Sequence, residues 1–207
     1  MPSIDALQRR IQQMAAITAL FAVEYGEPRF AFYPKWAGGT QVGAIKNGSG
    51  DELFCHFTSA GCFIKGFAHE SSMTPYRHNP PKLWPGLLDG VPSAFEKSLK
   101  EPAFDIPATT FVIWQLANGS EWLTGRIDLS DDEYKDGSAD LLEPLSFTHI
   151  EFTDWLEENY EVEVDGSIVE SVFNNRPLSE EEMLTLNHSQ PLRVLRDAVR
   201  ETGYSIE

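Results

Sequence analysis

From residue 4 onward, Ile4, Leu7, Ile11, Met14, Ile17 and Phe21 recur at helical spacing. That period predicts an amphipathic helix, capped by Ser3 or Asp5 and ending near Tyr25–Gly26. Arg9, Arg10, Gln12 and Gln13 fall mostly off the stripe, so the helix is expected to be dry on one face and wet on the other. The pattern then changes. Arg29–Trp36, Thr40–Lys46, Leu53–Phe57 and Cys62–Phe67 are rich in aromatic and β-branched residues and read as strands. Pro34 puts the first near an edge or an end. Loop signals at Asn47–Gly50 and Thr58–Gly61 join the later three, predicting an antiparallel meander centred on the 53–67 hairpin.

Beyond Phe67 the chain turns polar, and Pro75–Pro81 is too broken for helix or strand. Lys82–Leu88 reads as an irregular piece anchored by Trp84, and Ser93 with Glu96 suggests a capping box opening a short helix at Ala94–Lys100, closed by Pro102. Thr109–Leu116 is the most strand-like run, and Asn118-Gly119 turns it into a further strand, Glu121–Leu129. Thr148 with Glu151 and Ser179 with Glu182 predict capping boxes for helices at about 149–160 and 180–186. Apolar spacing adds helices at about 166–175 and from Leu192 to near Gly203. The reading is an α+β protein: one domain over 1–207, with a mostly antiparallel sheet of about six strands covered by an N-terminal helix and a C-terminal helical third.

Charge changes this picture more than composition does. The net charge is −16, yet residues 1–100 hold ten Lys/Arg against eight Asp/Glu, whereas 101–207 hold six against twenty-four. Between Asp128 and Glu182 there are eighteen acids and only Lys135 and Arg176 opposing them. Nucleic acid is disfavoured as a partner, because phosphate binding needs a concentrated basic face. A basic protein is the partner such a belt would steer. Asp131, Asp132, Glu133, Asp154, Glu157 and Glu158 are the candidate contacts, and solvated helix faces that keep the protein soluble are the alternative. No apolar run is long enough to span a bilayer, and the first helix lacks a signal-cleavage pattern. The expectation is therefore a cytoplasmic protein without membrane contact. Cys55 and Cys62 should be diagonal neighbours on one face of the hairpin, as buried thiols.

The chemistry-bearing residues gather where the second hairpin strand runs out. His69 beside Glu70, Ser71 and Ser72 suggests a general base, with Cys55, His56 and His78 as groups the fold could bring near. Against catalysis, Ser71 lies in no G-x-S-x-G elbow, and the hydroxyls are equally suited to turning the backbone. The His and Cys residues show no metal-ligand spacing. Asp132–Glu143 meets an EF-hand loop at its positions 1, 5, 6, 9 and 12, but Tyr134 occupies the third, where an oxygen ligand is needed. An acidic turn leading into a short helix at Ser138–Leu142 is the simpler reading. No phosphate-cradling glycine loop is present, so no cofactor is expected.

The run GCFIKGFAHESSMTPY (61–76), with KLWPG at 82–86 and TFVIW at 110–114, resembles an uncharacterised bacterial family of about this length. That resemblance implies no activity, catalytic residue or cofactor. Small acidic bacterial proteins often serve as antitoxin-like immunity proteins, an association of composition that suits the acidic belt. The leading expectation is a non-enzymatic binding protein that engages a basic partner through its acidic C-terminal half. The alternative is a hydrolase-like enzyme using His69 and Glu70.

Overall fold

The computed structural model describes residues 1–127 and 135–207. Among these, β1 (Phe30–Tyr33), β2 (Gln41–Lys46), β3 (Glu52–Thr58), β4 (Gly61–Phe67), β5 (Phe111–Leu116) and β6 (Leu123–Thr124) form one six-stranded sheet. Each strand pairs antiparallel with its sequence neighbour. Short connections leave β1–β4 little alternative to pairing with the strand just made, and β5 joins β4 across the long 68–110 connection. The predicted meander is therefore present, extended by the 111–124 hairpin into an α+β fold. Ser59 and Ala60 form a two-residue turn that sets Thr58 opposite Gly61 and Cys55 opposite Ile64.

Period-2 alternation sorts the strand residues onto two faces. On the first, Phe30, Phe32, Ile45, Leu53, Cys55, Phe57, Cys62, Ile64, Phe111 and Ile113 belong to the larger hydrophobic cluster. Helix α1 (Ile4–Tyr25) lies across that face. Gly43 sits beneath it: a Cβ there would stand 2.8 Å from Ile11 Cγ2, so the missing side chain is what lets helix and sheet approach. The two cysteines meet on this face as free, buried thiols, and burial together with the neighbouring Cys55 pushes the Cys62 thiol well up.

The wet face expected of α1 is not found over its middle. Gln13, Met14, Ala15, Ala16, Ile17 and Thr18 are all buried, because the C-terminal helices cover the side away from the sheet. These are α4 (His149–Tyr160), α5 (Gly166–Phe173), α6 (Glu180–Leu186) and α7 (Leu192–Glu201), which follow the short α2 (Glu96–Leu99) and α3 (Ser138–Leu142). Off-stripe polar residues of α1 meet specific partners there. The Arg10 guanidinium stacks 4.0 Å from the Phe173 ring, and Gln13 Nε2 donates to the Phe173 carbonyl and to Asn175 Oδ1, both at 3.1 Å. Capping boxes form at Thr148/Glu151 and Ser179/Glu182 as expected.

The second face of the sheet is covered by irregular chain. Phe63, Val112 and Trp114 pack against Leu87 and Phe95 from the connection between β4 and β5. The predicted box at Ser93/Glu96 does not form: Ser93–Phe95 is a 3-10 turn without a side-chain cap, and Glu96 instead pairs with Lys100 at 2.5 Å. The strand expected over Glu121–Leu129 is reduced to Leu123–Thr124 within the described residues. Just past it the 86–87 backbone packs close: a Cβ on Gly125 would lie 2.2 Å from the Leu87 carbonyl oxygen.

Candidate functional site

Three polar regions contain the residues on which function could rest. At the end of β4 the chain turns through Ala68–Ser71, and Asp51, the residue just before β3, faces it across the hairpin. Asp51 Oδ1 accepts the His69 backbone N–H at 2.7 Å and pairs with ring Nδ1 at 2.6 Å. Asn47 holds the carboxylate from behind, its Nδ2 donating to Asp51 Oδ2 at 2.7 Å. Burial of Asp51 acts to raise its pKa, but the His69 and Asn47 hydrogen bonds outweigh it and the net shift is downward. The Asp51 hydrogen bond raises His69 above the usual histidine value. Glu70 is further off, with Oε1 3.9 Å from His69 Nε2, and both side chains are on the surface.

This is the orienting half of a general-base arrangement, with Nδ1 held by a carboxylate and Nε2 turned outward. The hydroxyls that could act as nucleophile are committed elsewhere. Ser71 Oγ donates to the Lys135 carbonyl at 2.6 Å and accepts the Met73 N–H at 2.9 Å, and Ser72 Oγ accepts the Lys135 N–H at 3.0 Å. The other candidates are not brought in. Cys55 faces α1, while His56, on the opposite face, bridges Ser98 Oγ and Thr40 Oγ1 at 2.9 Å each. His78 is exposed in the Pro-rich loop. Among the described residues no group of three or more His, Cys, Asp or Glu could hold a metal ion.

The second region was not anticipated from the sequence. Lys65 lies on the second face of the sheet with its side chain 0% exposed, its Nζ 3.0 Å from Glu52 Oε1 and 5.8 Å from the ring centres of Phe54 and Phe67. Desolvation lowers its pKa, opposed by Glu52 and Asp105. A lysine enclosed in this way and paired with Glu52 ties two neighbouring strands together.

The third region belongs to the acidic half. Between the end of α1, the 162–165 connection and the end of α6 with residues 187–189 lies a groove of about 690 Å³, within the size range of ligand sites. Its walls include Phe21, Tyr25 and Val164, its charged groups are Glu24, Glu163 and Asp165, and no Lys or Arg lines it among the described residues. Asp165 accepts from Ser167 Oγ at 2.7 Å and caps α5 through the Ser167 N–H at 3.0 Å, which together pull its carboxyl pKa down, and Glu24 Oε2 accepts from Ser189 Oγ at 2.7 Å. Of the anticipated partner contacts, Asp154 and Glu158 are exposed one helical turn apart on α4. Glu157 is half-buried and accepts the Val164 N–H at 3.0 Å, so it shapes the connection beside the groove. Asp131, Asp132 and Glu133 lie outside the described residues, as does the start of the 132–143 run. Across 149–173 no carboxylate is paired with a Lys or Arg among the described residues.

No helix of the described residues is long and apolar enough to cross a membrane. No protein-family model, curated protein or solved structure matches the chain.

Proposed function

We propose that the protein is a non-enzymatic binding protein that engages a basic protein partner through the acidic surface of its C-terminal helices, in the manner of an immunity protein. The observation that carries this reading is the groove of about 690 Å³, in which Glu24, Glu163 and Asp165 face a cleft with no Lys or Arg among its described lining residues and His188 as its basic side chain. Like charges held together without counter-charges repel one another, so a cationic partner gains both attraction and relief of that repulsion. Tyr25, 52% exposed at the groove, offers an aromatic face for an incoming Arg or Lys.

A fluorescein-labelled hexa-arginine peptide, followed by anisotropy at low and high salt, tests it. Binding at about 20 mM salt, fading by about 500 mM, is expected. Glu24→Gln, Glu163→Gln and Asp165→Asn together should weaken it more than Asp154→Asn, Glu158→Gln and Glu170→Gln, which remove equal charge elsewhere. Equal losses would sink the groove as the contact surface, and no binding at low salt would sink the reading.

The Asp51–His69 pair at 2.6 Å favours a second reading, a hydrolase-like enzyme in which His69 activates water beside Glu70. For that reading, His69→Ala must abolish turnover in a substrate screen while the fold survives.

A further inference from the structure

The chain contains two Asn-Gly pairs, Asn47-Gly48 and Asn118-Gly119, both in exposed turns. In such a pair the glycine amide nitrogen can attack the asparagine Cγ, because the two atoms close a five-membered ring and no glycine Cβ obstructs the approach. The structure sets the two pairs apart. Gly119 N–H donates to the Leu116 carbonyl at 2.9 Å, so that nucleophile is engaged, and the Asn118 side chain makes no hydrogen bond among the described residues. At the other pair the positions are reversed. Gly48 N–H has no hydrogen-bond partner among the described residues, whereas the Asn47 amide is held at both of its polar atoms.

Asn47 Oδ1 accepts the Ser49 N–H at 2.8 Å and the Asp51 N–H at 3.1 Å. Two backbone donors on one carbonyl oxygen stabilise the negative charge it takes up when its carbon is attacked. Nδ2, the leaving group, donates to Asp51 Oδ2 at 2.7 Å. Through solvent, that carboxylate can take the proton that Gly48 N gives up and return it to Nδ2, and His69 Nδ1, 2.6 Å from Oδ1, positions it for the transfer. Arg29 adds a cation beside the attacking residue, since a Cβ on Gly48 would collide with its guanidinium. The 47–51 loop thus holds the parts of an acyl-transfer site around its own asparagine.

We propose that Asn47 modifies itself, with Gly48 N closing a succinimide on Cγ that water then opens to an aspartyl or isoaspartyl residue. The bond from Gly48 N to Cγ forms as the bond from Cγ to Nδ2 breaks, the Gly48 proton leaves with Nδ2 as ammonia, and ring opening consumes a water molecule. The new carboxylate faces Asp51 where the amide had donated, and the repulsion loosens the loop from His69. This proposal is independent of the basic-partner reading. Peptide mass mapping of the purified protein during incubation at neutral pH, folded and unfolded in urea, tests it. Residue 47 should convert at least about tenfold faster in the folded protein than in urea, while residue 118 should not be accelerated by folding. Asp51→Ala keeps the backbone donors but removes the carboxylate from Nδ2, and should slow residue 47 by at least about tenfold in the folded protein while leaving its rate in urea unchanged. A smaller ratio of folded to unfolded rate at residue 47, or an unaltered folded rate in Asp51→Ala, would overturn the proposal.

Discussion

Two sets of charged and titratable groups contrast within this molecule. Beneath the irregular cover of the second sheet face, each such group has its partner: Lys65 with Glu52, and His56 between Ser98 and Thr40. Along the groove at the far end of α1, Glu163 has no counter-charge among the described residues, and Glu24 and Asp165 meet only serine and backbone groups. Burial accounts for the difference. A charge withdrawn from water must be matched where it stands, whereas an exposed carboxylate remains solvated and its pairing is left open. Partnered polar groups here hold the fold, and the unpartnered acidic surface is where a ligand could act.

The largest expected effect follows from breaking a buried match. Glu52→Ala leaves the fully enclosed Lys65 ammonium without its carboxylate, and urea unfolding should show a loss of about 3 kcal/mol. Glu52→Leu with Lys65→Met removes both charges and should recover most of that. If the single variant is as stable as the parent, the pair does not organise this face. His56 comes next. Burial lowers its pKa against a smaller opposing influence of Glu101, so the folded state holds it neutral. Its contribution is present above the unfolded value near 6.5 and is lost as pH falls through that value towards the folded one, with a slope of at most about 1.4 kcal/mol per pH unit. Wild type should therefore lose more stability than His56→Leu between about pH 7.5 and 5.5. Parallel curves would contradict this.

How far these regions could be read from the residues depends on whether the signal is local. The meander, the helix start at Ser3 and the boxes at Thr148 and Ser179 were legible because turn chemistry and capping act over two to four residues. The Asp51–His69 contact is implied by the hairpin register alone. Pairing Thr58 with Gly61 sets residue 51 opposite 68, one position from His69. Lys65 carried a weaker signal, a lone cation in an apolar strand, diagonal to Glu52 in the same register. The burial of α1 on both sides, the close approach of the 86–87 backbone to Gly125 and the groove were not legible. Each is made by segments distant in sequence, and no local period records them.

A smaller effect, opposite in sign, is expected in the groove. Removing charge through Glu24→Gln, Glu163→Gln and Asp165→Asn relieves repulsion, and Asn still caps α5. Thermal stability should rise slightly, by less than about 1 kcal/mol, even as affinity for the arginine peptide falls. A marked loss of stability would show that these carboxylates, like those under the second face, serve the fold.

The smallest effect separates the two roles open to His69. Its pKa is raised by the Asp51 hydrogen bond, so the stabilisation is present below the unfolded value near 6.5 and is lost as pH rises through the folded one. The ring is exposed, which keeps the contribution small, and the His69 N–H would still reach Asp51 after substitution. Melting of wild type and His69→Gln should therefore converge as pH rises from about 6 to 8, with wild type the more stable at the acidic end. A residue that only clamps the turn to the 47–51 loop must show this convergence. Identical melting at every pH would remove the clamp explanation and leave the outward-facing Nε2 as the reason for the Asp51–His69 geometry, which is the outcome that favours the enzymatic reading.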